Sequence, residues 1–201
     1  MFDCKISFVI MITIIDYCKT NAKEVEDSLS KLTADIIISN KEADILNAEK
    51  IILPDSEDFS ASIRKLHLLN LFSVLRMIKK PIFGIGTGMH LMTKSYKNIN
   101  AACLGCFPVE CRNYENSGNE VLKLPINILK ESRLLQTIKE NDLFYFRNGC
   151  YIPLNEFSTS SVKPNKEITA SIEKDHLFGV QFNPEKSGEA GLKVFKNFLA
   201  I

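Results

Sequence analysis

The stretch Pro81-Ile-Phe-Gly-Ile-Gly-Thr-Gly-Met-His-Leu-Met92 constrains the fold more than any other part of the chain. A strand-like apolar run passes without a linker into a turn flanked by Gly84 and Gly88, and the turn opens onto an apolar helical run. Strand, sharp turn and helix in immediate succession give the geometry of a nucleophile elbow, which pushes the residue at its tip into a cleft. In a working elbow the tip is serine or cysteine; here it is Gly86. A side chain at such a tip costs about 1–3 kcal/mol of backbone strain, and glycine enters that region freely. A chain released from nucleophilic chemistry therefore gains stability by carrying glycine there.

The segments before the elbow alternate in type. Ile12–Ile15, Asp35–Ser39 and Lys50–Leu53 read as short β-branched strands, and Asn21 to Leu32 as a helix with Val25, Leu29 and Leu32 on one face. Ser60 to Lys79 reads as one long helix carrying Ile63, Leu66, Leu69, Phe72 and Leu75, stopped by Pro81. This rhythm calls for a mostly parallel sheet with helices on both faces. After the elbow, Glu120–Leu124, Leu143–Phe146, Ile168–Glu173 and Leu177–Phe182 are strand-like. Lys174-Asp175-His176 joins the last two as a hairpin. Gly188 to Ala200 closes the chain as a helix with Leu192, Phe195 and Phe198 or Leu199 inward. No linker divides the halves, so residues 11–201 read as one three-layer α/β domain. Met11 lies inside an apolar run, Ile6–Ile15, which leaves residues 1–10 open to reading as an N-terminal extension upstream of the true start.

Charge and cysteine usage exclude several classes. With 25 basic and 24 acidic residues the net charge is +1, which provides no field for nucleic acid. The Ile6–Ile15 run falls short of the ~20 residues that span a bilayer, and its flanks lack the basic start and cleavage site of a signal peptide. No membrane association is expected, and the compartment expected is the cytoplasm. Cys4, Cys18, Cys103, Cys106, Cys111 and Cys150 are sparse for a disulfide scaffold, and a chain this long needs no staples. Cys103-Leu-Gly-Cys106 has the spacing of redox and zinc sites, but zinc wants a second pair or two histidines, and only Cys111 is close in sequence. The cysteines read as small apolar residues, with no metal and no cofactor expected.

Near the C-terminus, Gly179-Val-Gln-Phe-Asn-Pro-Glu-Lys-Ser187 follows a strand and leads into the last helix. PIFGIGTGMHLM and LFGVQFNPEKSGEAGL resemble the two signature stretches of class I (triad-type) glutamine amidotransferases. The second most resembles the glutaminase subunit of imidazole glycerol phosphate synthase, from histidine biosynthesis. Ile14-Ile-Asp-Tyr17 with Asn21 and Val25, Ile51-Ile-Leu-Pro54 and Phe144-Tyr-Phe146 extend the likeness over nearly the whole chain.

In that family an elbow cysteine attacks the glutamine amide, a histidine moves the proton, and a glutamate orients the histidine. The resemblance places the nucleophile at Gly86, the base at Asn183 and the orienting acid at Glu185, so only the last is intact. Glycine offers no nucleophile, and an asparagine amide moves no proton near neutral pH. Losing such a group typically costs many powers of ten in rate. Other stretches depart too. Pro54-Asp55-Ser56-Glu57-Asp58 replaces the family's glycine-rich oxyanion segment, His90 replaces a glutamine, and Leu124-Pro-Ile-Asn127 and Arg147-Asn-Gly-Cys150 replace its His-Met-Gly-Trp and Val-His-Ser-Tyr. The acidic stretch is expected to be a solvated loop whose carboxylates repel an oxyanion.

Substitute chemistry finds little support in the sequence. Thr87 points along its helix and lacks a base, while His90, His67 and His176 read as packed or solvated. Cys150 needs an electropositive setting to be reactive, for which Arg147 is the one hint. The resemblance implies docking on a (β/α)8-barrel cyclase through Asn21 and Lys186. The expected function is that of a non-catalytic partner of such a cyclase. The alternatives are a stand-alone binding or regulatory module, a paralogue serving amidination of a surface sugar, or an enzyme with other chemistry on Cys150 or the Cys103–Cys106 pair.

Overall fold

Isoleucine-rich strands form the centre of the molecule because they are covered on both faces and have no polar side to show to water. A computed structural model describes residues 11–17, 20–33, 35–97, 101–113, 121–147 and 149–201. The extension expected at residues 1–10, with Cys4, and also Cys18, lies outside the described residues. The first half runs β1 (Ile12–Ile15), α1 (Ala22–Leu29), β2 (Ile36–Ser39), α2 (Glu42–Asn47), β3 (Lys50–Leu53), α3 (Phe59–Leu68), α4 (Leu71–Met77), β4 (Ile82–Ile85) and α5 (Thr87–Leu91). There follow β5 (Ser95–Tyr96), β6 (Ala101–Ala102), β7 (Glu110–Asn113), β8 (Val121–Pro125), β9 (Asn127–Ile128), β10 (Leu143–Arg147) and β11 (Cys150–Tyr151). The chain ends with β12 (Ser158–Val162), β13 (Ile168–Lys174), β14 (Leu177–Val180) and α6 (Gly188–Ala200).

The main sheet has the order β2-β1-β3-β4-β14-β13-β12-β9. It is parallel from β2 through β14 and antiparallel from there to β9. Alternation along each strand divides the core. Ile12, Ile14, Phe83, Ile85, Phe178 and Val180 pack against Val25 and Leu29 of α1 and Phe195 and Phe198 of α6. Ile15, Ile51, Leu53 and Ile82 pack against Ile45, Ile63, Leu66, Leu71, Leu75 and Met89 from α2 to α5. This is the expected three-layer α/β arrangement.

Some boundaries differ from the sequence reading. The stretch read as one helix from Ser60 to Lys79 is two, because Asn70 adopts a left-handed conformation (φ 57°) between α3 and α4; asparagine tolerates it better than most residues. Helix α1 stops at Leu29, and Leu32 reaches the core from the following turn. Strand β14 ends at Val180 rather than Phe182, and the turn of its hairpin holds Asp175 at φ 53°. Strand β12 was not anticipated. Its residues Ser-Thr-Ser-Ser-Val are all buried, the hydroxyls being satisfied across to β13 by Thr159–Ser171 and Ser160–Ser171 bonds of 2.6 Å.

The elbow sits at the middle of the sheet, between β3 and β14. Gly86 has φ 51° and ψ −115°, a conformation in which a side chain is strained. Its N–H donates to the Val180 carbonyl at 2.8 Å. A Cβ at Gly88 would lie 1.9 Å from the Leu53 carbonyl oxygen, so only glycine lets α5 approach β3 this closely.

Candidate functional site

The loops that follow β3, β4 and β14 meet at the carboxyl ends of the parallel strands, where ligands bind in open α/β sheets. They enclose a cleft of about 590 Å³ whose walls include Asp55, Gly86, Thr87, His90, Cys150 and Asn183.

Asp55 lines this cleft beside the elbow tip. It follows the wholly apolar end of β3 and is buried, with only 7 % of its surface exposed. Its Oδ1 accepts the Thr87 backbone N–H at 2.9 Å. The amide of the residue after the elbow tip is the donor that such sites offer to a developing oxyanion. The other oxygen, Oδ2, accepts from Arg147 at 3.0 Å and from Asn183 Nδ2 at 3.2 Å. Arg147 also donates to the Ser56 carbonyl, as does the Thr87 hydroxyl at 2.9 Å. The stretch expected to be a solvated loop is thus divided. Glu57 and Asp58 are exposed, and Asp58 caps α3 through the Ala61 N–H, while Asp55 and Ser56 turn inward because buried donors await them.

Asn183 joins this carboxylate to a second one. Its amide donates to Asp55 Oδ2 and, at 2.8 Å, to Glu185 Oε1. A primary amide has two hydrogens and bridges two acids, whereas a neutral imidazole donates only one. Glu185 Oε1 also accepts from Asn21 Nδ2. Glu185 Oε2 and Asn21 Oδ1 are buried without a partner. Burial, reinforced by the Asp55 charge, pushes the Glu185 carboxyl up to about 7 despite its hydrogen bonds. One proton on Glu185 Oε2 supplies a donor where two acceptors lack one. Lys186 points outward and pairs with Glu24 at 3.0 Å. With Asn21 it borders a depression beside the cleft.

The opposite wall carries sulfur. Strands β7 and β11 pair with Cys150 opposite Asn113, so Cys111, two residues away on the same face, lies diagonally across from Cys150. Cys150 Sγ is 3.2 Å from Asn113 Oδ1 and 3.4 Å from the Tyr96 hydroxyl. A ring nitrogen of His90 and the sulfurs of Cys111 and Cys150 all lie within 4.8 Å of one another. The Cys111 thiol, followed by His90, draws the Cys150 thiol down to about 4 against its burial. Burial and the neighbouring Cys150 push Cys111 the other way. The His90 ring, although burial opposes its charge, is raised by Cys150 and Gln181.

The structure therefore brings Gly86 and Asn183 to one cleft, with Glu185 bonded behind Asn183 and Asn21 and Lys186 in the adjoining depression. It corrects the reading of His90, which is neither solvated nor merely packed but buried beside Cys150. The electropositive neighbour of Cys150 is that histidine; Arg147, expected in the role, is committed to Asp55. Thr87 is held on the Ser56 carbonyl, and His67 stacks on Phe72 at 3.8 Å. Cys103 and Cys106 do not join the sulfur cluster, and burial pushes the Cys103 thiol up to about 11. Sequence reasoning missed the inward turn of Asp55 and the grouping of Cys111 with Cys150 and His90. An acid placed directly after an apolar strand at the ligand-binding edge was the available signal for the first. The second depends on the pairing of β7 with β11, which sets Cys150 opposite Asn113 and diagonal to Cys111, and no local pattern announces it.

A family model described as glutamine amidotransferase class-I matches residues 13–201. The chain is 32% identical over 203 residues to "Imidazole glycerol phosphate synthase subunit HisH 1" of Campylobacter jejuni, covering 95% of this chain and all of that one. It is 28% identical over 196 residues to "Imidazole glycerol phosphate synthase subunit HisH" of Bacteroides fragilis, covering 94% and 99%. A solved structure titled "Crystal structure of glutamine amidotransferase" superposes with a TM-score of 0.74 at 11% identity, covering 95% of this chain and 100% of that one. Among the described residues no helix is long and apolar enough to cross a membrane.

A Cβ at Gly86 would lie 2.6 Å from Asp55 Oδ1, and that oxygen is not free to move. Gly86→Cys is expected to cost on the order of 2–5 kcal/mol, a fall in melting temperature of roughly 5–15 °C for a chain of this size. Adding Asp55→Gly should return part of the loss; an unchanged or raised melting temperature for the single variant contradicts the account. Glu185 yields a pH prediction. Between its unfolded value of 4.5 and its folded value of about 7 the native chain holds a proton that the unfolded chain releases. The stability it contributes is therefore full below the lower value and lost as pH rises through the upper one. Thermal scans of Glu185→Gln should match the parent near pH 5 and exceed it near pH 8; a difference independent of pH contradicts the raised carboxyl.

Proposed function

The chain belongs to the class-I glutamine amidotransferase family, and we propose that it is the amidotransferase-type subunit of an imidazole glycerol phosphate synthase, or of a close paralogue, that does not hydrolyse glutamine at its elbow. In this reading it is the cytoplasmic, non-catalytic member of a heterodimer with a (β/α)8-barrel cyclase. The relatives named for that synthase support the assembly. One observation supports the silence: the Asp55 carboxylate sits on the Thr87 amide.

Hydrolysis of a carboxamide by the family's route needs an attacking sulfur, a group that takes and returns a proton, and donors for the oxygen that gains charge. Gly86 supplies no sulfur. Asn183 has a conjugated amide nitrogen with no basic lone pair, and its hydrogens are spent on Asp55 and Glu185. The donor is occupied by an anion belonging to the chain itself. Each fault alone slows the reaction severely, and they sit on three separate loops.

The docking role draws on the rim. Lys186 is exposed and its partner Glu24 more so, which leaves both groups available for exchange with charges on another protein. Asn21, at the start of α1, is held beside the rim by the bond its amide donates to Glu185. A second reading, an enzyme with other chemistry, is favoured by the adjacent Cys150 and His90 on the cleft wall.

An ammonia-release assay with glutamine, run with the chain alone and with a barrel cyclase present, separates these readings. The expected result is no turnover in either case, together with co-elution of the two proteins. Turnover that disappears in Cys150→Ser or His90→Ala would overturn the silent reading and establish the second.

A further inference from the structure

We propose that His90, Cys111 and Cys150 form a zinc-binding site in the wall of the cleft, with a fourth coordination position open to the cleft. The proposal stands apart from the subunit role: the His90 backbone N–H donates to the Gly86 carbonyl at 3.2 Å as part of α5, but the side chains of His90, Cys111 and Cys150 bond elsewhere.

The donor atoms are already gathered. One imidazole nitrogen and two thiol sulfurs within 4.8 Å of one another are the ligand types that zinc prefers, and Cys₂His with an exchangeable fourth position is a known catalytic-type set. Zinc–ligand bonds of about 2.0–2.3 Å place such donors somewhat closer together, a contraction within reach of side-chain rotation.

When neutral, the histidine is held in a tautomer that leaves one ring nitrogen free for a metal. Gln181 Nε2 donates to the Cys150 carbonyl at 3.0 Å, which orients its amide. Gln181 Oε1 must then accept, and its partner at 2.8 Å is His90 Nε2. With Nε2 carrying the hydrogen, neutral His90 keeps its lone pair on Nδ1. A ligating histidine whose other nitrogen donates to a carbonyl oxygen is the usual outer-shell arrangement of metal sites. Here the same glutamine ties the histidine to the backbone of the second ligand.

The ligands come from α5, β7 and β11, three elements fixed independently by packing and by the β7–β11 pairing. Cys111 is fully buried and closes the back of the site, while His90 and Cys150 line the cleft. A metal there has its remaining position on the solvent side. Two sulfurs this close repel one another once both are deprotonated, and a divalent cation removes that repulsion. On binding, the thiol protons go to solvent and two zinc–sulfur bonds replace them, with no oxidant or reductant needed. Cys103 and Cys106 lie outside this set, so the sequence spacing that suggested a metal site and the residues that build one are different.

The full chain, reduced and freed of metal with a chelator, tests the proposal. Zinc titration against a competing chelator should give one ion per chain, and cobalt(II) added in its place should show sulfur-to-metal charge-transfer absorption. Cys150→Ser, at the cleft wall and the mildest change to the fold, should weaken zinc binding at least tenfold and reduce that absorption. Gln181→Ala should weaken binding by roughly 10–100-fold, the usual effect of losing an outer-shell partner. Cys103→Ser should leave both readouts unchanged. Absence of stoichiometric zinc binding, or binding unaltered in Cys150→Ser, overturns the proposal. So does isolation of a Cys111–Cys150 disulfide from a chain that takes up no metal after reduction.

Discussion

The hydrogen bond from the Thr87 backbone N–H to the Asp55 carboxylate, buried and 2.9 Å long, is the contact on which the rest of the cleft depends. A charge-assisted bond of this kind is roughly twice as strong as a neutral one. It requires the peptide after the elbow tip to face the cleft, which the left-handed conformation of Gly86 provides. It also brings a buried charge that must be met from other sides. Arg147 and Asn183 meet it, and Asn183 in turn reaches Glu185. The elbow serves here as a backbone device whose amide is met by a side chain of the same molecule.

On the proposed reading, in which Gly86, Asn183 and Glu185 stand at the triad positions, the residues found there are linked. A cysteine at the tip would meet the Asp55 carboxyl, so aspartate and glycine belong together. A neutral histidine at position 183 would donate one hydrogen where two carboxyl groups are bridged, whereas the asparagine amide donates to both. On the same reading Glu185 is the retained member. It keeps its place because the bridge needs an acceptor, and its raised carboxyl shows that the surroundings tolerate it better neutral than charged.

The fold was legible where local pattern decides it. Apolar β-branched runs identified β1, β3 and β4, and the glycine-flanked turn identified the elbow, because these depend on neighbours in sequence. The helix expected to be continuous past Leu69 was misread because its apolar spacing survives the left-handed turn at Asn70. Strand β12 was hidden because its serines and threonines are buried through bonds to β13, a partner that no window of sequence contains. The site followed the same rule. Gly86, Asn183 and Glu185 lie in recognisable stretches, whereas the Asp55 anchor and the His90–Cys111–Cys150 cluster arise from contacts between distant segments. Among the thiols, the pair with the suggestive spacing lies outside the cluster and the scattered pair is the one that converges.

The Thr87 amide tests the central claim most directly, by its proton resonance in a two-dimensional ¹H–¹⁵N spectrum. A backbone N–H bonded to a carboxylate resonates well downfield. The account predicts that Thr87 does so in the parent chain and moves upfield in Asp55→Ala, while amides in α4, which contributes nothing to the cleft, hold their positions. A Thr87 resonance that is unremarkable in the parent chain, or that stays in place when the carboxylate is removed, would contradict it.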